Sequence, residues 1–190
     1  MTGTPQKAVI IGASAGALEA LSAILPDLPA DFACPVYVVV HVPPHSRSVL
    51  AQIFSAKCQL PAVEVSDKEP VAAGRIYFAP PNYHMLIEDE GHVALSSDAE
   101  VLFSRPSIDV AFESAADVWG EGLTGIILTG ANHDGAQGLQ AVVAGGGVAI
   151  VQDPATAYAS AMPEAAIASC PQARVMSLAE ITSYLKGACA

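Results

Sequence analysis

Continuous apolar runs alternate with segments whose apolar residues recur at helical spacing, and this alternation predicts the architecture. Ala8-Val-Ile-Ile11 is rich in β-branched residues, the mark of a strand buried on both faces. Gly12-Ala-Ser-Ala-Gly16 follows as a tight turn, after which Leu18, Leu21, Ile24 and Leu25 keep helical spacing until Pro26 ends the segment. Pro35-Val-Tyr-Val-Val-Val40 repeats the buried-strand signature and stops at His41, and Pro43 and Pro44 delay the next helix to about 46–55.

The middle of the chain changes character. Segments 62–65 and 75–78 read as short strands, and 84–88 is expected to pair with 92–96 across Asp89-Glu90-Gly91, so this section is expected to be antiparallel. Pro106 is placed at a first helical position, and Ile108, Phe112, Ala115 and Trp119 make one apolar helix face that assigns Trp119 to the core. Segment 124–129 is another buried strand, closed by Gly130-Ala-Asn-His-Asp-Gly135 and followed by a helix over about 136–144. Gly145-Gly-Gly147 caps that helix, 148–151 forms a strand, and 178–186 is a terminal helix after a short strand near Val175.

This order predicts an α/β fold: a doubly wound, mostly parallel sheet in a Rossmann-like three-layer sandwich, with a small antiparallel hairpin section. Residues 1–190 are expected to form a single domain. In such sheets ligands bind beyond the carboxyl ends of the strands. Ser14, His41 and Asp134 each fall just after such an end, on three separate strands.

Composition narrows the functions. A net charge of -11 argues against binding nucleic acid or an anionic membrane, both of which need clustered Lys and Arg. Cys34, Cys58, Cys170 and Cys189 are scattered, with no C-x-x-C pair, so neither a zinc site nor a disulfide framework is expected. No export signal precedes the first strand and no apolar run approaches bilayer length, so a soluble, cytoplasmic protein is expected.

Gly12-Ala-Ser14-Ala-Gly16 has the form G-x-S-x-G on a strand-to-helix turn, which exposes a serine hydroxyl above the sheet. The helix that follows aims its unpaired N–H groups at the same space, making Ala15 N–H a candidate oxyanion donor. The same residues also read as a degraded dinucleotide loop, giving the alternative of a Rossmann-like nucleotide- or partner-binding module without catalysis. A dinucleotide site places Asp or Glu at the end of the second strand, where this chain has His41, and that substitution favours catalysis. His41 suits a general base, and Asp134 suits the carboxylate that fixes its tautomer, although alone each reads as structural: a lone histidine, and an Asp-Gly turn or helix cap. His45, His84 and His133 rank below His41. The order Ser, His, Asp also differs from the Ser, Asp, His of α/β-hydrolases, which weakens a general small-ester hydrolase.

Together these segments resemble the catalytic domain of the chemotaxis protein-glutamate methylesterases, over nearly the whole chain from Lys7 onward. The likeness lies in Ile11-Gly-Ala-Ser-Ala-Gly-Ala17, Val40-His-Val-Pro43 and Leu128-Thr-Gly-Ala-Asn-His-Asp-Gly-Ala-Gln-Gly-Leu139, in the family's order. Phe78-Ala-Pro-Pro-Asn-Tyr-His84, Arg105-Pro-Ser-Ile-Asp109 and Met162-Pro163 support it. The resemblance implies Ser14 as nucleophile, His41 as base and Asp134 as its partner, with Ala15 and Ala131 as oxyanion or substrate-loop candidates. It also implies hydrolysis of glutamate methyl esters on the cytoplasmic helices of a methylated chemoreceptor, without cofactor or metal; related enzymes also deamidate specific glutamines. Ala15, Ala17 and Ala131 depart from the family's usual Thr, Gly and Met. The family typically carries an N-terminal receiver domain, whereas here the first strand begins almost at Met1. The expectation is constitutive activity, a separate receiver or regulatory protein, or a chain truncated to its catalytic domain.

Overall fold

The computed structural model describes residues 6–42 and 48–189. Pro43, Pro44, His45 and the expected helix start at 46 lie outside the described residues. In chain order the elements are β1 (Ala8–Ala13), α1 (Ala17–Ile24), β2 (Val36–Val40), α2 (Leu50–Lys57), β3 (Ala62–Glu64), β4 (Glu69–Pro70), β5 (Ile76–Phe78), β6 (His84–Asp89) and β7 (His92–Ser96). The second half contributes α3 (Ile108–Trp119), β8 (Leu123–Ile127), α4 (Ala136–Ala144), β9 (Val148–Gln152), α5 (Ala161–Ser169), β10 (Arg174–Met176) and α6 (Leu178–Ala188).

A seven-stranded sheet runs β10-β9-β8-β1-β2-β5-β3, with every pairing parallel. The chain winds outward from β1 through β2, then returns to lay β8 on the other flank of β1. The strand order therefore reverses at β1, and the crevice beyond its carboxyl end is where such a sheet binds ligands. Alternate residues of the central strands feed two cores. Ile10, Tyr37 and Val39 pack with Ile108, Phe112 and Leu139 from α3 and α4, while Val9, Ile11 and Val38 pack with Leu21, Ile24, Ile181 and Leu185 from α1 and α6. Continuous apolar strands are what this two-sided burial requires.

Several expectations need correction. Segments 62–65 and 75–78 do not belong to the antiparallel section: β3 and β5 extend the large sheet as parallel strands. The antiparallel part is the expected β6-β7 hairpin, joined by β4, which at two residues carries no periodicity to read. Pro106 is not the first helical residue. Ser107 caps α3, its Oγ accepting from Val110 N at 3.4 Å, and the helix starts at Ile108. Leu18 is 41% exposed, and Ala17 and Ala20 join Leu21 and Ile24 on the buried face instead. Helix α5 was not expected because its alanine-rich AMPEAAIAS has no apolar stripe, and Pro163 in its first turn is tolerated because the N–H it lacks would have no partner within the helix.

The cysteine expectation also fails. Cys34 and Cys189 are joined by a disulfide, while Cys58 and Cys170 are free. The pair is 155 residues apart in sequence and meets only because α6 ends beside the entry to β2, so spacing held no signal. No helix among the described residues is long and apolar enough to cross a membrane.

Candidate active site

Strand register delivers the first two side chains. Ala13 pairs with Val40 across β1 and β2, and His41 N donates to Ala13 O at 3.2 Å, so the next position of β2 lies beside the next position of β1. Ser14 and His41 thus leave adjacent strands, about 5 Å apart in such a sheet, at the same height. On the other flank Ser14 N donates to Thr129 O at 2.9 Å, and Thr129 Oγ1 donates to Ala15 O at 2.8 Å. Gly16, at φ 84°, turns the chain into α1, and a Cβ there would stand 2.6 Å from Tyr158 Cβ. Only glycine satisfies both constraints. Ala15 N–H has no hydrogen-bond partner among the described residues and sits at the amino end of α1, where the dipole favours negative charge.

The third residue is buried and densely bonded. Asp134 is 0% exposed, and its Oδ2 accepts from His41 Nε2 at 2.7 Å and from Ile108 N at 2.6 Å. Its Oδ1 accepts from Asp109 N at 2.9 Å and from Ser107 Oγ at 3.0 Å. Burial pushes this carboxyl up, but the His41 bond and the N–H groups of Asp109 and Ile108 outweigh burial and hold it below the usual carboxylate range. An ionised Asp134 can only accept, so His41 Nε2 carries a proton, and in the neutral imidazole the lone pair then lies on Nδ1. Asn132 Nδ2 lies 3.4 Å from that Nδ1, and no hydrogen bond joins Ser14 Oγ to His41 among the described residues.

A supporting layer escaped the sequence reading, which took Pro106 and Ile108 for a helix start and Arg105-Pro-Ser-Ile-Asp109 for a family marker, without a role for Ser107 or Asp109. Ile108 approaches the end of β1 because Gly12 has no side chain: a Cβ there would lie 2.5 Å from Ile108 Cγ2. Asp109 Oδ1 accepts from Gly135 N at 2.9 Å and Gly138 N at 2.7 Å, which ties the loop carrying Asp134 to α3. Burial, with a smaller push from Asp134, raises the Asp109 carboxyl to about 6. The available signal was an acidic residue beside Ile108 at the start of an otherwise apolar face. His84 is likewise structural: its Nδ1 accepts from Ser107 N at 3.1 Å and its Nε2 donates to Ala99 O at 3.0 Å. His133 is exposed, and Ala131 is exposed at the loop's rim.

A cleft of about 280 Å³ opens beside His41, lined by Val42, Glu100, Phe103 and Arg105 among others. Among the described residues no cluster of three or more His, Cys, Asp or Glu could hold a metal ion. The groups gathered at this rim are a hydroxyl, an oriented imidazole and a backbone donor unpaired among the described residues.

The comparisons with known proteins agree in one direction. The family model described as CheB methylesterase matches residues 9–185. A Leptospira interrogans protein, provisionally named a protein-glutamate methylesterase/protein-glutamine glutaminase, is 45% identical over 92% of this chain and 91% of its own length. A Symbiobacterium thermophilum protein of the same name without that qualifier is 40% identical over 86% of this chain but 45% of its own length. The Thermotoga maritima CheB methylesterase catalytic domain superposes with a TM-score of 0.90 at 30% identity, covering 95% of this chain and 97% of that one. The match spans the sheet and the segments that carry Ser14, His41 and Asp134, and the chain belongs to the CheB methylesterase family, a family of ester hydrolases.

Proposed function

We propose that this chain is a protein-glutamate methylesterase that hydrolyses glutamate 5-O-methyl esters on chemoreceptors through Ser14, His41 and Asp134. The carrying observation is the 2.7 Å bond from His41 Nε2 to buried Asp134, made at the strand position in register with Ser14. In this reading Ser14 Oγ attacks the ester carbonyl while His41 Nδ1 takes the hydroxyl proton, displacing the long contact to Asn132. Asp134 stabilises the resulting imidazolium. The oxyanion forms within reach of Ala15 N–H and the amino end of α1, where one such donor contributes about 10²–10³ in rate.

Collapse of the tetrahedral intermediate expels methanol, which takes the proton from His41 and leaves a glutamyl ester on Ser14. Water, activated by the same imidazole, then releases glutamate and restores the serine. An amide in place of the ester would release ammonia, which gives glutamine deamidation by the same steps. Residues 1–190 act in this proposal as one catalytic domain in the cytoplasm, where the receptor helices lie.

The direct test is methanol release from methylated receptor. Wild-type protein should release it, and Ser14→Ala should not. Release that survives Ser14→Ala would contradict the assignment.

A further inference from the structure

The rim of the cleft beside His41 carries an unusual turn. Val101 N donates to Ser104 O at 3.1 Å and Ser104 N donates to Val101 O at 2.9 Å, closing a two-residue hairpin connection. Its central residues, Leu102 and Phe103, have φ of 48° and 60°. Two positive φ values in this position make a type I′ turn, which Asn-Gly forms readily and which γ-branched or aromatic residues disfavour. The side chains are also poorly placed for folding, since Leu102 is 50% exposed and Phe103 is 97% exposed. Both the backbone and the side chains thus work against stability at one point, and residues held in such conformations concentrate at functional sites.

The tip is held in place. Arg105 Nη1 donates to Ser97 O at 3.1 Å and to Asp98 O at 3.0 Å, strapping both ends of the segment that bears the turn. Phe103 lines the same cleft as His41, which places its ring at the edge of the space beside the imidazole. Phe103 nevertheless projects outward from the rim, which suits a partner larger than the cleft.

We propose that the Leu102 and Phe103 turn is the docking contact for the protein substrate, packing its aromatic ring on the aliphatic surface of the receptor helix beside the esterified glutamate. The proposal rests on the esterase reading for the identity of its partner. Aromatic residues are enriched where one protein buries another's surface, and a ring that a partner covers completely can carry a large share of the binding energy. It acts on recognition and not on the acyl chemistry, so its loss should raise KM for receptor and leave kcat within about twofold.

The test uses the double variant L102N/F103G, which installs the preferred turn sequence and should raise Tm by about 2–4 °C. Affinity for a methylated receptor cytoplasmic bundle is measured by titration, and methanol release is measured separately. The expected result is affinity weakened about tenfold or more in the double variant, with Phe103→Tyr close to wild type. Equal affinities in wild type and double variant, alongside normal methanol release, would overturn the docking proposal and keep the esterase. Weakened affinity with no methanol release from wild type would keep the docking surface and sink the esterase. A wild-type protein that binds no bundle overturns the proposal, as does self-association that disappears in the double variant, which would assign the tip to a second copy of the chain.

Discussion

The two halves of the proposed catalytic rim are built differently. Around Asp134, both carboxylate oxygens are saturated by His41, Ser107, Ile108 and Asp109, and Asp109 in turn holds the loop's backbone. Around Ser14 the turn is half-buried and the Ala15 N–H is unpaired among the described residues. In the proposed mechanism the side that would orient the base is rigidly bonded, whereas the side that would meet substrate keeps its donors open. An orienting carboxylate works by fixing one tautomer, so loose geometry would defeat it. A nucleophile and an oxyanion donor must instead exchange partners during each turnover.

Substitutions on the two sides should separate these roles. The largest effects are expected at the proposed reacting groups: Ser14→Ala and His41→Ala should each lower kcat by about 10⁴–10⁶ in methanol release, with unchanged circular dichroism. Asp134→Asn should follow at about 10⁴ in kcat, because an amide can present the wrong group to His41 Nε2. It should also cost about 1–3 kcal/mol of stability by denaturant titration, since the α3 N–H groups lose a charged acceptor.

Gly16→Ala probes the open side. With φ at 84° and Tyr158 in the way, it should destabilise by about 1–3 kcal/mol and displace Ala15 N–H, lowering kcat more than it raises KM. Ser107→Ala removes one bond to Asp134 and the α3 cap, and should cost about 1 kcal/mol with a correspondingly smaller loss of rate.

The dependence on pH, which leaves the reacting groups untouched, is the most diagnostic of the rigid side. The folded-state pKa of Asp109 is raised to about 6, so its contribution favours the fold below about 4 and is lost as pH rises from there through about 6. Asp134 is opposite: its carboxyl is held low, so its contribution is present above about 4 and disappears as pH falls through its folded value. Asp109→Asn should keep an acceptor for Gly135 N and Gly138 N while removing the first of these dependences. Stability above pH 6 should rise by up to about 2 kcal/mol, and stability curves between about pH 4 and 6 should lose the fall with rising pH that Asp109 contributes. An unchanged pH profile would mean that Asp109 is not the titrating group.

Legibility followed the range of the interaction. The central strands, helix 136–144 and the turn around Ser14 could be read because two-sided burial and helical sterics act over a few residues. The placement of 62–65 and 75–78 could not, since a three-residue strand pairs as readily parallel as antiparallel until its neighbours are known. Helix α5 was missed for want of an apolar stripe, and Pro106 misled because Ser107 offered the better cap.

What the amino-acid order determined by itself was an alternating α/β chain with a hydroxyl, an imidazole and a carboxylate each set just past a buried strand. Only the tertiary structure decided that Nε2 of His41 faces Asp134, that Ser107 and the first turn of α3 complete its shell, and that Cys34 meets Cys189. The reason is distance along the chain. His41 and Asp134 are 93 residues apart and Ile108 and Asp134 are 26 apart, so sheet register and helix packing, which no local pattern encodes, choose their partners.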